Sequence, residues 1–69
     1  MTRLEFLKNR LRKYYEAEAA VLRGQEYQLE NRRLQRPQLK YVQDMIATLE
    51  DEIAAIELIG GRTKQVVFI

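Results

Sequence analysis

The sequence predicts an α+β fold in the order helix, β-hairpin, helix, and three observations carry that prediction. Two stretches, 4–22 and 39–56, place apolar residues every three or four positions, the spacing that lines one face of an α-helix. Between them residues 25–36 lose that period and alternate apolar with polar side chains, as a half-buried strand pair does. Glycines close both helical stretches, Gly24 after the first and Gly60-Gly61 after the second. The chain is therefore expected to divide into a single domain, 1–60, and a flexible C-terminal tail, 61–69.

The first helix is expected over about 3–22. Thr2 followed three residues later by Glu5 is a capping-box pattern, in which the hydroxyl accepts a backbone N–H and the carboxylate returns the bond. Leu4, Leu7, Leu11, Tyr14, Glu18 and Val21 make the stripe, Tyr15 and Leu22 widen it, and only Glu18 breaks it. Gly24 is the natural left-handed stop.

In the central segment Tyr27, Leu29 and Leu34 alternate with Gln28, Glu30, Arg33 and Gln35 around Asn31. Two registers fit. A Glu30-Asn31 turn opposes Tyr27 to Leu34, whereas an Asn31-Arg32 turn opposes Leu29 to Leu34 and Glu30 to Arg33. A two-stranded hairpin is marginal alone, so Tyr27, Leu29 and Leu34 must lie against the helices.

The second helix is expected over about 37–59, roughly 30 Å long at 1.5 Å per residue. Leu39, Val42, Met45 or Ile46, Leu49, Ile53 and Ile56 line one face, and Pro37 stands at the first helical position, where its missing N–H costs least. The cap is poor, because Gln35 or Arg36 occupies a place that prefers Ser, Thr, Asp or Asn. The predicted core is then Leu4, Leu7, Leu11, Tyr14, Tyr27, Leu29, Leu34, Leu39, Val42, Ile46, Leu49, Ile53 and Ile56.

With 69 residues, such a core supplies only about 3–5 kcal/mol, so a partner covering apolar surface matters energetically. The chain has no Cys, His or Ser. That removes thiol and serine nucleophiles, Cys-containing zinc sites and the commonest general base. Glu50-Asp51-Glu52 does not supply convergent carboxylates, since adjacent helical residues diverge by about 100°; a solvated helix face accounts for it. No cofactor or metal is expected, and the chain is read as a binding protein and not as an enzyme. Its apolar runs are far shorter than the ~20 residues that span a bilayer, and the amino terminus lacks an apolar signal core, so it is expected to be soluble and unexported.

The net charge of +2 is too small to argue for nucleic acid by itself. Its distribution says more. Residues 1–13 carry Arg3, Lys8, Arg10, Arg12 and Lys13 against Glu5, while residues 44–57 carry Asp44, Glu50, Asp51, Glu52 and Glu57 against no base. The run from Lys8 to Lys13 spreads around its helix, which suits solubilising charge or a subunit contact better than a recognition helix. Arg32, Arg33 and Arg36 form a second basic patch on the hairpin, read either as a contact point or as solvated strand edges. Tyr14 and Tyr41 are expected in the core, with Tyr15 undecided. Arg62 and Lys64 lead into Val66, Val67, Phe68 and Ile69, four apolar residues that invite aggregation unless they dock on a partner or on the molecule's own hairpin.

This arrangement resembles the W family of phage head-to-tail joining proteins. The resemblance covers nearly the whole chain. It is carried by Met1-Thr2-Arg3, by Glu30-Asn31-Arg32-Arg33-Leu34, by Leu39-Lys40-Tyr41 leading to Leu49-Glu50, and by the tail from Gly61-Arg62 to Phe68-Ile69. The chain departs from the family pattern at Glu30-Asn31, where the family favours Asp-Gly, and at Arg36-Pro37, where it has a Ser or Thr cap. The resemblance implies two antiparallel helices packed beside the hairpin, in a virion structural protein that acts after DNA packaging. It further implies a dodecameric ring beneath the portal protein that presents a surface to the next neck protein. Residues Val66 to Ile69, with Arg62 and Lys64, would meet a neighbouring subunit or the portal; Arg32 and Arg33 would face a partner or the DNA channel. Such a protein resides in the host cytoplasm before assembly and in the neck of the virion after it. Two rival readings stand beside it: a small nucleic-acid-binding regulator, and a helical-hairpin dimerisation module in which 25–36 is only a loop.

Overall fold

In a computed structural model that describes residues 2–60, the chain forms α1 (Arg3–Leu22), β1 (Tyr27–Leu29), β2 (Arg32–Leu34), a 3-10 turn (Arg36–Gln38) and α2 (Leu39–Gly60). The order is helix, antiparallel hairpin, helix, an α+β fold. Residues 61–69, on which the tail expectations fall, lie outside the described residues.

Helix α1 starts on the expected capping box: Glu5 N–H donates to Thr2 Oγ1 at 3.1 Å, and Thr2 N–H donates to Glu5 Oε1 at 3.0 Å. It ends in a left-handed closure. Gly24, at φ +83°, lets its own N–H reach Val21 O at 2.9 Å and Gln25 N–H reach Ala20 O at 2.8 Å, which satisfies carbonyls that the helix leaves open.

The hairpin register pairs Tyr27 with Leu34, Gln28 with Arg33 and Leu29 with Arg32, so the two-residue turn is Glu30-Asn31. Both turn residues take positive φ, 54° and 64°, the conformation whose twist matches that of the flanking strands. Of the two registers the sequence allows, the Asn31-Arg32 turn is therefore the one not adopted. It would have put Glu30, which holds an ion pair on the helix side, into a strand opposite Arg33.

Helix α2 begins later than expected, at Leu39, because Pro37 sits inside the 3-10 turn. The missing Ser or Thr cap is replaced by Gln38, whose side-chain Oε1 accepts the Gln35 N–H at 2.9 Å, while Gln38 N–H bonds Gln35 O at 2.8 Å.

Cross-links between the helices show that they run antiparallel. Glu18 accepts from Gln43 Nε2 at 3.2 Å, Tyr15 O–H donates to Glu50, and Lys8 Nζ lies 2.9 Å from Glu57; as numbers fall along α1 they rise along α2. The buried core is Leu7, Tyr14, Ala17, Ala20, Val21, Leu29, Leu34, Val42, Ile46, Leu49 and Ile53. Leu4, Leu11, Tyr27, Leu39, Tyr41, Met45 and Ile56 pack half-buried around it. A fully buried Leu or Val contributes roughly 1.5–3 kcal/mol, so burial of Leu29 and Leu34 in one core with Val21 and Val42 of the helices is what holds the hairpin down.

The stripe of α1 differs from expectation in its second half. It passes through Ala17, fully buried, and not through Glu18. An alanine there leaves room for α2 to approach, and Glu18 moves to the edge of the helix pair, where Gln43 serves it. Tyr15 and Leu22, expected to widen the stripe, are exposed at 44% and 53%. They lie on the flank of α1, beyond the width that α2 covers.

Candidate assembly surface

The hairpin tip is tied to α1 by charge. Glu30 takes Arg10 in a two-pronged pair, Nε on one carboxylate oxygen and Nη2 on the other at 2.9 Å. Tyr14 O–H adds a bond to Glu30 Oε1 at 3.2 Å and lies 3.3 Å from Tyr41 O–H. The Tyr14 and Tyr41 rings meet edge to face at 6.4 Å, and Arg32 stacks over Tyr41 with its guanidinium carbon 4.6 Å from the ring centre. These five side chains join α1, the hairpin and the start of α2.

The network sets the protonation of its members. Arg10's hydrogen bonds hold the Glu30 carboxyl below the usual carboxylate range, and Glu30 in turn raises Arg10. Burial, then the bond to Tyr41, pushes Tyr14 up. Outside the network, Tyr27 is raised by donating to Glu16 at 2.7 Å, and Tyr15 by its bond to Glu50.

The three hairpin arginines do not form a single patch. Strand alternation sends neighbours to opposite faces, so Arg32 lies over Tyr41 on the helix side while Arg33 points outward to Glu26 at 3.1 Å. Arg36 turns back to the end of α1 and donates to Leu22 O at 3.5 Å. Of the basic run in α1, Lys8 pairs with Glu57 and Arg10 with Glu30. Arg12 and Lys13 remain exposed, as do Asp51 and Glu52 on α2. The predicted contact residues Arg62, Lys64, Val66, Val67, Phe68 and Ile69 lie outside the described residues.

The antiparallel fold changes what the charge distribution means. Five basic residues against three acidic ones on α1, and one against five on α2, lie side by side instead of at opposite ends. The molecule is electrically polar across its width, with partial neutralisation at Lys8–Glu57.

Beyond the hairpin tip the helix pair continues uncovered. There Phe6, Asn9, Arg10 and Lys13 of α1 face Leu29 and Glu30 of the hairpin across a groove of about 440 Å³. Phe6 is 46% exposed. Sequence reasoning missed two features here. Phe6 stands off the apolar stripe, which was a legible signal of an exposed apolar group. Arg10 and Tyr14, four residues apart on one helix face, were a weaker signal of a shared partner, and nothing in the sequence named Glu30.

Fold and surface together define a small α+β protein of helix–hairpin–helix order, locked at the hairpin and open at the other end of its helix pair. The chain belongs to DUF6148, a family of unknown function, whose family model matches residues 1–69. No curated protein and no solved structure matches it. Among the described residues, no helix is long and apolar enough to cross a membrane.

Proposed function

We propose that this chain is a virion structural protein, a portal-proximal head-to-tail connector that works by protein–protein assembly after DNA packaging. The observation that carries the reading is the arrangement itself: two antiparallel helices with a two-stranded hairpin between them in the chain, as the resemblance to the W family implies. Charge polarity across the width supports it. A more basic α1 and an acidic α2 on opposite flanks suit the head-to-tail contacts that close a ring.

The nucleic-acid-binding rival needs its arginines together on one face, whereas Arg10, Arg32, Arg33 and Arg36 each engage a partner within the chain. The dimerisation rival took 25–36 as a loop, but residues 27–34 form the hairpin.

Native mass spectrometry of the chain mixed with the portal ring of the same virus tests the proposal, with Val67→Asp/Phe68→Asp as the control. The full chain is expected to load the portal in many copies and the variant to load poorly. If neither the chain nor the variant loads, the connector reading is wrong, and a salt-sensitive shift of duplex DNA becomes the next measurement.

A further inference from the structure

Phe6 is a large apolar side chain that the core does not use. It stands one position before Leu7, rotated about 100° off the stripe, and is 46% exposed. Leu29 and Glu30 form the opposite wall of its groove, and the stems of Arg10 and Lys13 extend the apolar lining, with the Arg10 guanidinium held by Glu30. An uncovered apolar groove on so small a molecule invites association.

We propose that this groove is the docking site of the chain's own C-terminal segment, Val66 to Ile69, which returns along α1 from Phe6 towards Lys13. The antiparallel pair fixes where that segment starts. Lys8 stands beside Glu57, so residue 60, one turn further along α2, comes level with about residue 5 of α1; Phe6, about 200° around the helix from Lys8, lies on the other flank of α1, so the spacer has to cross that helix. Residues 61–65, fully extended, reach about 17 Å, enough for the 8–10 Å between packed helix axes plus the roughly 5 Å radius of α1. The next four residues extend about 13 Å, and α1 rises about 10 Å from Phe6 to Lys13. The lengths match. The order of side chains matches too: the apolar quartet falls on the groove, and Arg62 and Lys64 fall in the spacer.

The occupant is the molecule's own tail and not a second copy's, because a short tether holds its end at an effective concentration in the millimolar range. A neighbouring chain at micromolar concentration competes poorly with that. The docking stands apart from the connector reading.

Because the chain has no cysteine, disulfide trapping is free of background. Lys13→Cys with Ile69→Cys places one thiol in the groove, and Arg12→Cys with Ile69→Cys places it on the adjacent exposed position outside. The first pair is expected to close within single molecules, at a rate independent of protein concentration and about tenfold faster than the second. In a second measurement, trypsin is expected to cut after Arg62 and Lys64 about fivefold faster in Phe6→Asp than in the unsubstituted chain, as docking is lost. Crosslinks that join two molecules, equal closure rates for the two pairs, or equal cleavage rates would each overturn the proposal. None of these readouts involves a portal, so the inference and the connector reading fail separately.

Discussion

The two ends of this molecule are built to different rules. At the hairpin end a third layer lies over the helix pair, and Tyr14, Val21, Leu34 and Val42 are shielded to 1% exposure or less. There the polar groups that come inward are cross-linked: Glu30 to Arg10, Tyr14 to both Glu30 and Tyr41. At the open end two helices cover only each other: Leu7 between them is buried to 1%, but Leu4, Leu11 and Ile56 stay half-buried while Phe6 and Leu58 are 46% and 53% exposed. The contrast teaches a division of labour. The third layer seals the core beneath it, and beyond its tip half-covered apolar side chains border the groove; exposed apolar groups also stand on the flank of α1 at Tyr15 and Leu22.

That division predicts unequal costs for the same chemical change. Leu34→Ala, under the hairpin, is expected to destabilise by about 3 kcal/mol, the transfer loss plus a cavity that the hairpin cannot collapse into. This consumes most of the stability available to a domain of this size, so the variant should be largely unfolded by circular dichroism at room temperature. Leu4→Ala, the same truncation at the open end, should cost about 1.5 kcal/mol by urea denaturation, because solvent already reaches the site. Equal costs would erase the distinction between the ends.

How much of this was legible in the sequence follows the range of the interactions. Helix α1, its capping box and its glycine stop were readable to the residue, because each depends on neighbours three to five positions apart. The hairpin was readable as a hairpin, but its register was not. Alternation of Tyr27, Leu29 and Leu34 is compatible with either turn, and the choice rests on Glu30 meeting Arg10, a contact across twenty positions. For the same reason the substitution of Ala17 for Glu18 in the stripe escaped notice: an alanine carries almost no hydrophobic signal, and only the approach of α2 makes it matter. The arginine patch failed because strand alternation separates Arg32 from Arg33. As for the candidate site, the groove needs α1 and the hairpin tip side by side, and no sequence pattern states that.

A smaller effect tests whether charge contributes to holding the hairpin end. Glu30→Gln keeps the shape of the side chain but removes the charge that Arg10 faces, and should cost about 1 kcal/mol, since the pair is partly solvated. The pH dependence has a definite sign. Because the folded-state pKa of Glu30 is lowered, its contribution is complete above the unfolded value near 4.5 and is lost as pH falls through the lower folded value. Urea midpoints measured between pH 7 and pH 3 should therefore fall more steeply for the natural chain than for Glu30→Gln. Parallel curves would mean that packing alone, through Leu29 and Leu34, holds the tip.

The smallest change separates the turn from the network it carries. Asn31 has φ +64°, a conformation that asparagine tolerates and glycine adopts without strain. Its side chain takes part in none of the contacts that bind the tip, which belong to Glu30 and Arg32. Asn31→Gly is therefore expected to raise stability by about 0.5 kcal/mol, a gain reduced by the greater freedom of glycine in the unfolded chain. Glu30→Gly also relieves a positive φ, at +54°, yet it discards the carboxylate and should lower stability. Opposite signs at adjacent positions of one turn, read as urea midpoints, would show that relief of a positive φ is a gain at Asn31 and is outweighed at Glu30 by the loss of its hold on α1. If both variants gained stability, the ion pair would be ornamental, and the hairpin end would owe its order to apolar burial alone.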